Sequence, residues 1–406
     1  MANVYKVMDM IAKESLDIIH EKASFIGTVD RQYDDQFKSG GSQWKKGGTL
    51  RVKEPNEFEV TDGAILNIQP ITETTQTLTV ASRKHVAMDF SSVDLAQSVS
   101  SDGAFNELSK NYIEPAASRL ISVIESDFLS FATKATANLA GTAGTAMTDL
   151  TVPGLARAKL NQAVAPLDSR CVMTDSVTMA SIVNGLKSGF QDSAQIKEAM
   201  REGFYQRLAM ADFYENERMW TMTTGADHTT VTVNDSAIAD EDTAIVTSGG
   251  TLTAGSVFTY ADVYDIHPET KAQYPHLKQF VATAISGSAG SQTVTFSPPL
   301  RSTGARQNIS ALPVTTAAIT VVGAASTSYV QGLMYHKNAY QFITGDLPLF
   351  ADANKCARRM KDGISLRIWQ DGDIVNDRLI LRMDILYGFA ALRPQWGCRM
   401  IGSANA

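Results

Sequence analysis

Catalysis and metal binding need particular side-chain types at particular spacings, and this chain offers few. Its six histidines (His20, His85, His228, His267, His276 and His336) are scattered. His267 and His276 stand nine residues apart around two prolines, a weak pattern for a metal pair. Asp371, Asp373 and Asp377 have the oxygen ligands a hard cation takes, but Asp371-Gly372 reads as the turn of a solvated hairpin. Asp34-Asp35, between Tyr33 and Phe37, could pose as an acid and a base. Adjacent carboxylates on an irregular segment do not hold that geometry. Asp240-Glu241-Asp242 reads as a solvated loop. There is no phosphate-cradling glycine loop, no nucleophile elbow, no HExxH and no cysteine pair at zinc spacing. The expectation is a chain with no catalytic residues, no metal and no cofactor.

Composition narrows the classes further. At ~100–200 residues per domain, 406 residues suggest two to three domains. With 44% hydrophobic and 19% charged residues the chain can bury a sizeable core. Its 36 basic and 43 acidic side chains give a net charge of −7, which argues against a protein that wraps nucleic acid through clustered Lys and Arg. No apolar run approaches the ~20 residues of a membrane span. The nearest, Val314 to Ala325, is short and Thr-interrupted. The first 22 residues carry charges throughout and do not read as a signal peptide. Cys171, Cys356 and Cys398 are odd in number and widely spaced, which fits folding in a reducing compartment.

The elements that would position any site fall into distinct styles. Val4, Met8, Ile11, Ile18 and Ile19 lie near one helical stripe. That helix packs either on its own domain or, as a terminal arm, on a neighbouring subunit. Residues 38–90 read as a long two-stranded excursion. Its glycine-rich breaks precede an alternating run, Leu50 and Val52 with Arg51 and Lys53. A return strand is predicted from Leu78 through Val80, Ser82, Lys84, Val86 and Met88 to Phe90. The excursion is either a surface hairpin or a projecting arm covered by another chain. Residues 104–137 give the clearest helix, with Leu120, Ile124, Phe128, Phe131 and Ala135 on one stripe and Pro115 in its first turn or at a kink. Asn138 to Pro153 reads as turn.

Residues 154–220 read as α/β, with a buried strand at 170–174 and a helix at 176–186 capped by Asp175 or Ser176. Composition shifts near Met222. Residues 221–330 hold 20 Thr but only four basic residues, Lys271, Lys278, Arg301 and Arg306. Six short alternating runs, beginning at Thr230, Ala244, Ser256, Phe280, Gln292 and Ile319, predict a small barrel or sandwich inserted into the α/β part. After Tyr329 the earlier style returns. Ile364, Leu366 and Ile368 alternate with Ser365, Arg367 and Trp369. A long strand then runs from Leu379 to Phe389 and ends at Arg393-Pro394.

Four stretches carry a family resemblance through their order and spacing. They are Lys84-His-Val-Ala-Met-Asp-Phe-Ser-Ser, Gly203-Phe-Tyr-Gln-Arg-Leu-Ala-Met-Ala-Asp-Phe, Leu333-Met-Tyr-His-Lys-Asn-Ala-Tyr and Asp384-Ile-Leu-Tyr-Gly-Phe-Ala-Ala-Leu-Arg-Pro. The whole chain resembles the major capsid (coat) protein of tailed double-stranded DNA phages, the Hong Kong 97-type fold. More narrowly it resembles the short-tailed Salmonella phage coat group with an inserted β-barrel domain. The resemblance implies an α+β fold. Its parts would be an N-arm (1–37), an extended loop (38–80) and a peripheral domain with a spine helix (81–153 and 361–406). An axial domain (154–221 and 328–360) and the inserted barrel (222–327) would complete it.

It also implies a shell of pentamers and hexamers of this chain around packaged DNA, assembled in the host cytoplasm with a scaffolding protein and a portal. DNA contact would be non-specific, with no membrane partner. Some members crosslink covalently, but the Lys, Asn and Glu such a bond needs cannot be located here. The residues expected at subunit interfaces are Trp44, Lys45, Lys46, Arg51, Lys53 and Glu57 on the extended loop, and Val4, Met8 and Ile11 on the arm. Repeated interfaces of ~800 Å² per partner account for apolar arms that no self-contained fold needs. Two rivals stand beside this reading. An encapsulin-like compartment shares the fold class, and a β-rich carbohydrate-binding protein would use the Thr-rich module.

Overall fold

The structure, a computed structural model, describes residues 13, 15, 17, 23–31, 49–54, 58, 60, 68, 75–91, 112–186, 207–208, 211–349, 355–361 and 364–404. The chain divides into two compact units. One comprises 1–52, 75–128 and 340–390, and the other 53–74, 129–339 and 391–406.

In chain order the first elements are helix α1 (Ser24–Thr28), strands β1 (Thr49–Lys53), β2 (Thr75–Thr79) and β3 (Ser82–Ser91), and helix α2 (Glu114–Ala135). Next come β4 (Leu139–Ala140), α3 (Thr151–Gln162), β5 (Arg170–Thr174), α4 (Ser176–Leu186), β6 (Arg207–Leu208), β7 (Ala211–Glu215) and β8 (Thr221–Thr223). Six strands follow: β9 (Thr232–Val233), β10 (Ala244–Ser248), β11 (Val257–Ile266), β12 (Gln273–Ser288), β13 (Ser291–Ser297) and β14 (Ile319–Val321). The last are β15 (Ser328–His336), β16 (Tyr340–Gly345), β17 (Lys355–Lys361), β18 (Ile364–Asp373), β19 (Arg378–Ala391) and β20 (Gly397–Ala404).

Helix α2 places Pro115 in its first turn, where the missing N–H costs nothing, with Glu114 beside the positive end of the helix dipole. Its buried stripe runs Leu120, Ile121, Ile124, Phe128, Leu129 and Ala132. Phe131 and Ala135, expected on that stripe, are only half-buried. In α4, Asp175 Oδ2 accepts the Thr178 N–H at 3.2 Å, which makes Asp175 the N-cap.

In the first unit, β16, β19, β18 and β17 form one antiparallel sheet, and β3 pairs β19 over Arg378–Tyr387. The predicted single return strand is two strands. It breaks at Val80-Ala81, so that β2 pairs β1 while β3 pairs β19. The predicted turn at Asp371-Gly372 is also displaced. Strand β18 runs on to Asp373, and the turn is Ile374-Val375-Asn376-Asp377. Alternation predicted Ser365 and Arg367 outward, yet both are buried, because this sheet is covered on both faces there. Helix α1 packs inward as well. Phe25 meets Phe128 at 4.7 Å, and Glu125 Oε1, fully buried, accepts the Phe25 N–H at 2.6 Å.

In the second unit, β4, β20, β15, β5, β7 and β6 form a mixed sheet, with β8 also on β15. Strand β20 pairs with β15 and not within the β18–β19 sheet, although the resemblance places it with those strands in a peripheral domain of 81–153 and 361–406. Likewise β16 and β17, read as axial from sequence, pair within the β18–β19 sheet. The remaining strands order as β14-β11-β12-β13-β10-β9. This sheet closes on itself. A bridge joins Thr232 to Ala318, the Val233 N–H reaches the Ala317 carbonyl at 2.9 Å, and the Ile319 N–H reaches that of Val231 at 2.9 Å. Closure removes sheet edges. Phe258, Tyr260, Phe280 and Phe296 pack inside it with ring centroids 5.2–6.3 Å apart.

Candidate subunit interface

Of the residues expected at interfaces, Val4, Met8, Ile11, Trp44, Lys45, Lys46 and Glu57 lie outside the described residues, as do Asp34 and Asp35. Arg51 and Lys53 are described. Both are exposed on β1, flanking the half-buried Val52, as the alternation requires. Beyond them the loop presents apolar side chains to solvent: Phe58 is 61%, Val60 93% and Ile68 81% exposed. Glu54 is turned the other way and pairs with Arg306 at 3.0 Å.

A second exposed apolar pair, Ile374 (97%) and Val375 (86%), caps the β18–β19 hairpin. The sequence reading, which places the turn at Asp371-Gly372 and starts the next strand at Leu379, leaves this pair unassigned. The turn beneath is ordered by Asp373, whose carboxylate accepts the Val375 N–H at 3.0 Å and the Asn376 side-chain amide at 2.6 Å. These bonds hold the Asp373 carboxyl below its usual range. Of the three carboxylates with cation-ligand chemistry, Asp373 orders the turn and Asp371 accepts the Gly372 N–H at 3.0 Å.

The remaining chemical candidates do not converge. His267 Nδ1 accepts the N–H groups of Glu269 and Thr270, each at 3.1 Å, while His276 Nε2 faces Asp265 at 3.4 Å. Asp240 clamps Ser302 and Thr303 through three hydrogen bonds of 2.7–2.9 Å. Burial pushes the Cys171 thiol up to about 11 and that of Cys398 up to about 12, which suppresses the reactive thiolate. Among the described residues no group of three or more His, Cys, Asp or Glu could hold a metal ion. No described helix is long and apolar enough to cross a membrane.

What the sequence hid is a set of buried charges that hold the exposed elements in place. Asp384 on β19 is fully buried. It takes Arg367 Nη2 at 2.7 Å, Arg382 Nε at 2.8 Å and Arg83 Nη2 at 3.2 Å, tying together β18, β19 and β3. Burial alone would raise its pKa, but the hydrogen bonds from Arg367, Arg382 and Arg83 outweigh it and hold the carboxyl below 3.8. Asp127 on α2 accepts the Tyr387 hydroxyl at 2.9 Å and pairs with Lys84 at 3.2 Å, fastening the helix to the same sheet.

Three comparisons bear on this architecture. The family model of the P22 coat protein, gene protein 5, matches residues 52–402. A structure from Mycobacterium phage Che8 matches with a TM-score of 0.50 at 12% identity, covering 93% of this chain and 90% of that one. The capsid of Ralstonia phage GP4 matches at 7% identity and a TM-score of 0.47, covering 93% and 88%. The CUS-3 coat protein I-domain matches at 27% identity over 25% of this chain and 94% of its own, with a TM-score of 0.17. No curated protein matches the sequence. At these identities the likeness to the Che8 structure bears on the fold alone.

Proposed function

The chain belongs to the P22 coat protein family, and we propose that it makes its contacts with neighbouring copies through the loop at 38–80 and the arm at 1–37. It is a major capsid protein that forms an icosahedral shell. The family match over 52–402 carries that conclusion. In the finer reading, Trp44, Lys45, Lys46, Arg51, Lys53 and Glu57 touch a neighbouring subunit, as do Val4, Met8 and Ile11. The support is physical. Arg51 and Lys53 are exposed on a two-stranded ladder, and Phe58, Val60 and Ile68 beyond them are uncovered. Leaving that much apolar surface in water is unfavourable at ~25 cal/mol per Å², and a neighbour removes the cost.

We further assign 222–327 to an inserted barrel domain, 154–221 with 328–360 to an axial domain, and 81–153 with 361–406 to a peripheral domain. The strand pairings given above amend the edges of the last two. Pentamers and hexamers assembling on a scaffolding protein around a portal, in the host cytoplasm, complete the reading. The shell wall contacts DNA without sequence preference, consistent with a net charge of −7. The chain carries no catalysis and needs no metal or cofactor. Stoichiometric zinc or iron in washed particles would contradict that last statement.

The assembly reading is tested by co-expression with the candidate scaffolding partner and sedimentation of the product. Closed particles far larger than a dimer are expected. A chain that remains monomeric or dimeric across salt and with scaffold present would overturn it.

A further inference from the structure

The turn from α3 into β5, residues 163–169, carries backbone strain and exposed apolar side chains that its own fold does not explain. Helix α3 ends in two interlocked hydrogen bonds. The Ala165 N–H reaches the Leu160 carbonyl and the Val164 N–H the Asn161 carbonyl, each at 3.0 Å. That closure puts the residue past the cap in the left-handed region, which glycine enters without cost. Here the residue is Val164, with φ +54°, a conformation that a β-branched side chain resists. Ser169, at the far end of the turn, is left-handed too, with φ +49°. The surroundings hold both. The buried Arg170 donates to the Ala165 and Pro166 carbonyls at 2.8 and 2.7 Å. Trp396 Nε1 donates to the Ala163 carbonyl at 3.2 Å, and the Lys337 N–H to the Ser169 carbonyl at 3.1 Å.

What this scaffold presents is unfavourable in a free subunit. Val164 is 40% and Leu167 53% exposed. Around them stand charges without an opposite partner. Among the described residues, Asp168, its side chain 78% exposed, is paired with no Lys or Arg, and only the His336 imidazole approaches it, at 3.9 Å. Lys337 is exposed, and Arg393 lies over the half-buried Trp396 ring at 4.3 Å. Neither is paired with a carboxylate among the described residues. The His336 ring, edge-on to Trp396 at 5.3 Å, joins the acidic and basic sides of the patch. Half-buried Trp and Arg beside exposed apolar side chains are what an interface uses as anchors.

We propose that this turn is a contact between copies of the chain. Val164 and Leu167 are covered by the same face of a second subunit turned through a two-fold, with Asp168 of each copy opposite Lys337 and Arg393 of the other. Charge complementarity names the occupant. The patch carries both signs, so its own two-fold copy presents a base to each acid and an acid to each base. A partner of one sign, nucleic acid included, would be opposed by Asp168 or by the two cations. A turn held in its docked shape also loses little freedom on binding. The left-handed Val164 is then strain kept for the contact it makes. The proposal rests on the shell-forming reading and is independent of the contact at 38–80.

The test compares full-length variants for monomer unfolding and for particle yield by sedimentation. Val164→Gly relieves the left-handed strain and removes the side chain. It should leave the monomer's unfolding midpoint unchanged or raise it, yet cut the yield of closed particles by about tenfold or more. Leu167→Ser should cut the yield likewise at an unchanged midpoint. Asp168→Arg should impair assembly, and adding Lys337→Glu should restore most of it, because every copy then carries both reversals. Parental yield in Val164→Gly and Leu167→Ser, or a double charge variant no better than Asp168→Arg alone, would overturn the proposal and leave the shell reading standing. A parent chain that forms no particle would overturn both.

Discussion

Arg399 and Gly255 stand 144 positions apart, and the buried Arg399 guanidinium donates through Nη1 to the Gly255 carbonyl at 2.7 Å. Its Nε donates to the Thr136 carbonyl, just past the end of α2, at 2.8 Å. The negative end of that helix's dipole suits a cation there. One side chain on β20 thus ties the helix end to the turn that leads into β11 of the barrel. Gly255 is required at this joint. Its φ is +92°, and a Cβ would run into the Trp220 ring. Gln279 adds a second tie, accepting the Leu139 N–H at 2.9 Å and donating to its carbonyl at 3.1 Å.

Arg399→Met should therefore loosen the barrel from the sheet that carries it. Two buried carbonyls lose charge-assisted donors, at about 1–3 kcal/mol each. Limited proteolysis should cut near 136–140 and 253–256 in the variant and spare the parent. Arg399→Lys should rescue only in part, because an ammonium lacks the planar fork that reaches both carbonyls. Full rescue by Lys would contradict the two-carbonyl account.

The Asp384 site gives a prediction in acid. A carboxyl held below 3.8 in the fold contributes stability that is fully present above 3.8 and is lost as pH falls below it, through the group's lower folded pKa. Asp384→Asn should flatten the stability profile in this range. It should also destabilise at neutral pH by about 3–5 kcal/mol, since Arg367 is left buried without its counter-ion. Arg83→Met should cost under about 1 kcal/mol, because Arg83 is 41% exposed. Chemical denaturation of the monomer from neutral pH to well below 3.8 measures all three.

Why the barrel was legible in sequence and these charges were not is a matter of periodicity. Each of the six Thr-rich runs overlaps a barrel strand, because one face of each strand meets solvent and alternation survives. In β18 both faces are covered, so Arg367 broke an apolar pattern and was read as outward when it is inward and paired. Arg399 is a lone cation in the run Cys398 to Ile401, and only knowledge of distant carbonyls at Thr136 and Gly255 explains it. The one local signal available was a charge inside an otherwise apolar strand. The hairpin turn falls at Ile374-Val375 and not at Asp371-Gly372, because an apolar dipeptide carries none of the usual turn signals. The interface residues at 44–46 were suggested by glycine breaks and charge, signals that do not specify a partner.

The barrel should melt as a unit. Phe280→Ala removes a fully buried ring from the Phe258, Tyr260 and Phe296 cluster, at a cost of about 3–5 kcal/mol. A fragment spanning 222–327 should show β-type circular dichroism and one cooperative transition, and Phe280→Ala should lower its midpoint. A disordered parent fragment would mean that the barrel depends on its ties to Leu139 and Arg399.

Reversal of Lys45 and Lys46 to Glu separates interface from core. Rim charges set register and encounter rate more than stability. The double variant should assemble at least tenfold more slowly while the monomer's unfolding midpoint stays within about 0.5 kcal/mol of the parent. An equal loss of monomer stability would return 38–80 to an ordinary surface hairpin.

Electron microscopy of particles assembled from this chain shows whether it builds a closed shell. Icosahedral shells are expected, with each subunit's 38–80 loop lying on a neighbour in the reconstruction. Open aggregates, or a discrete monomer or dimer under every assembly condition, would contradict this.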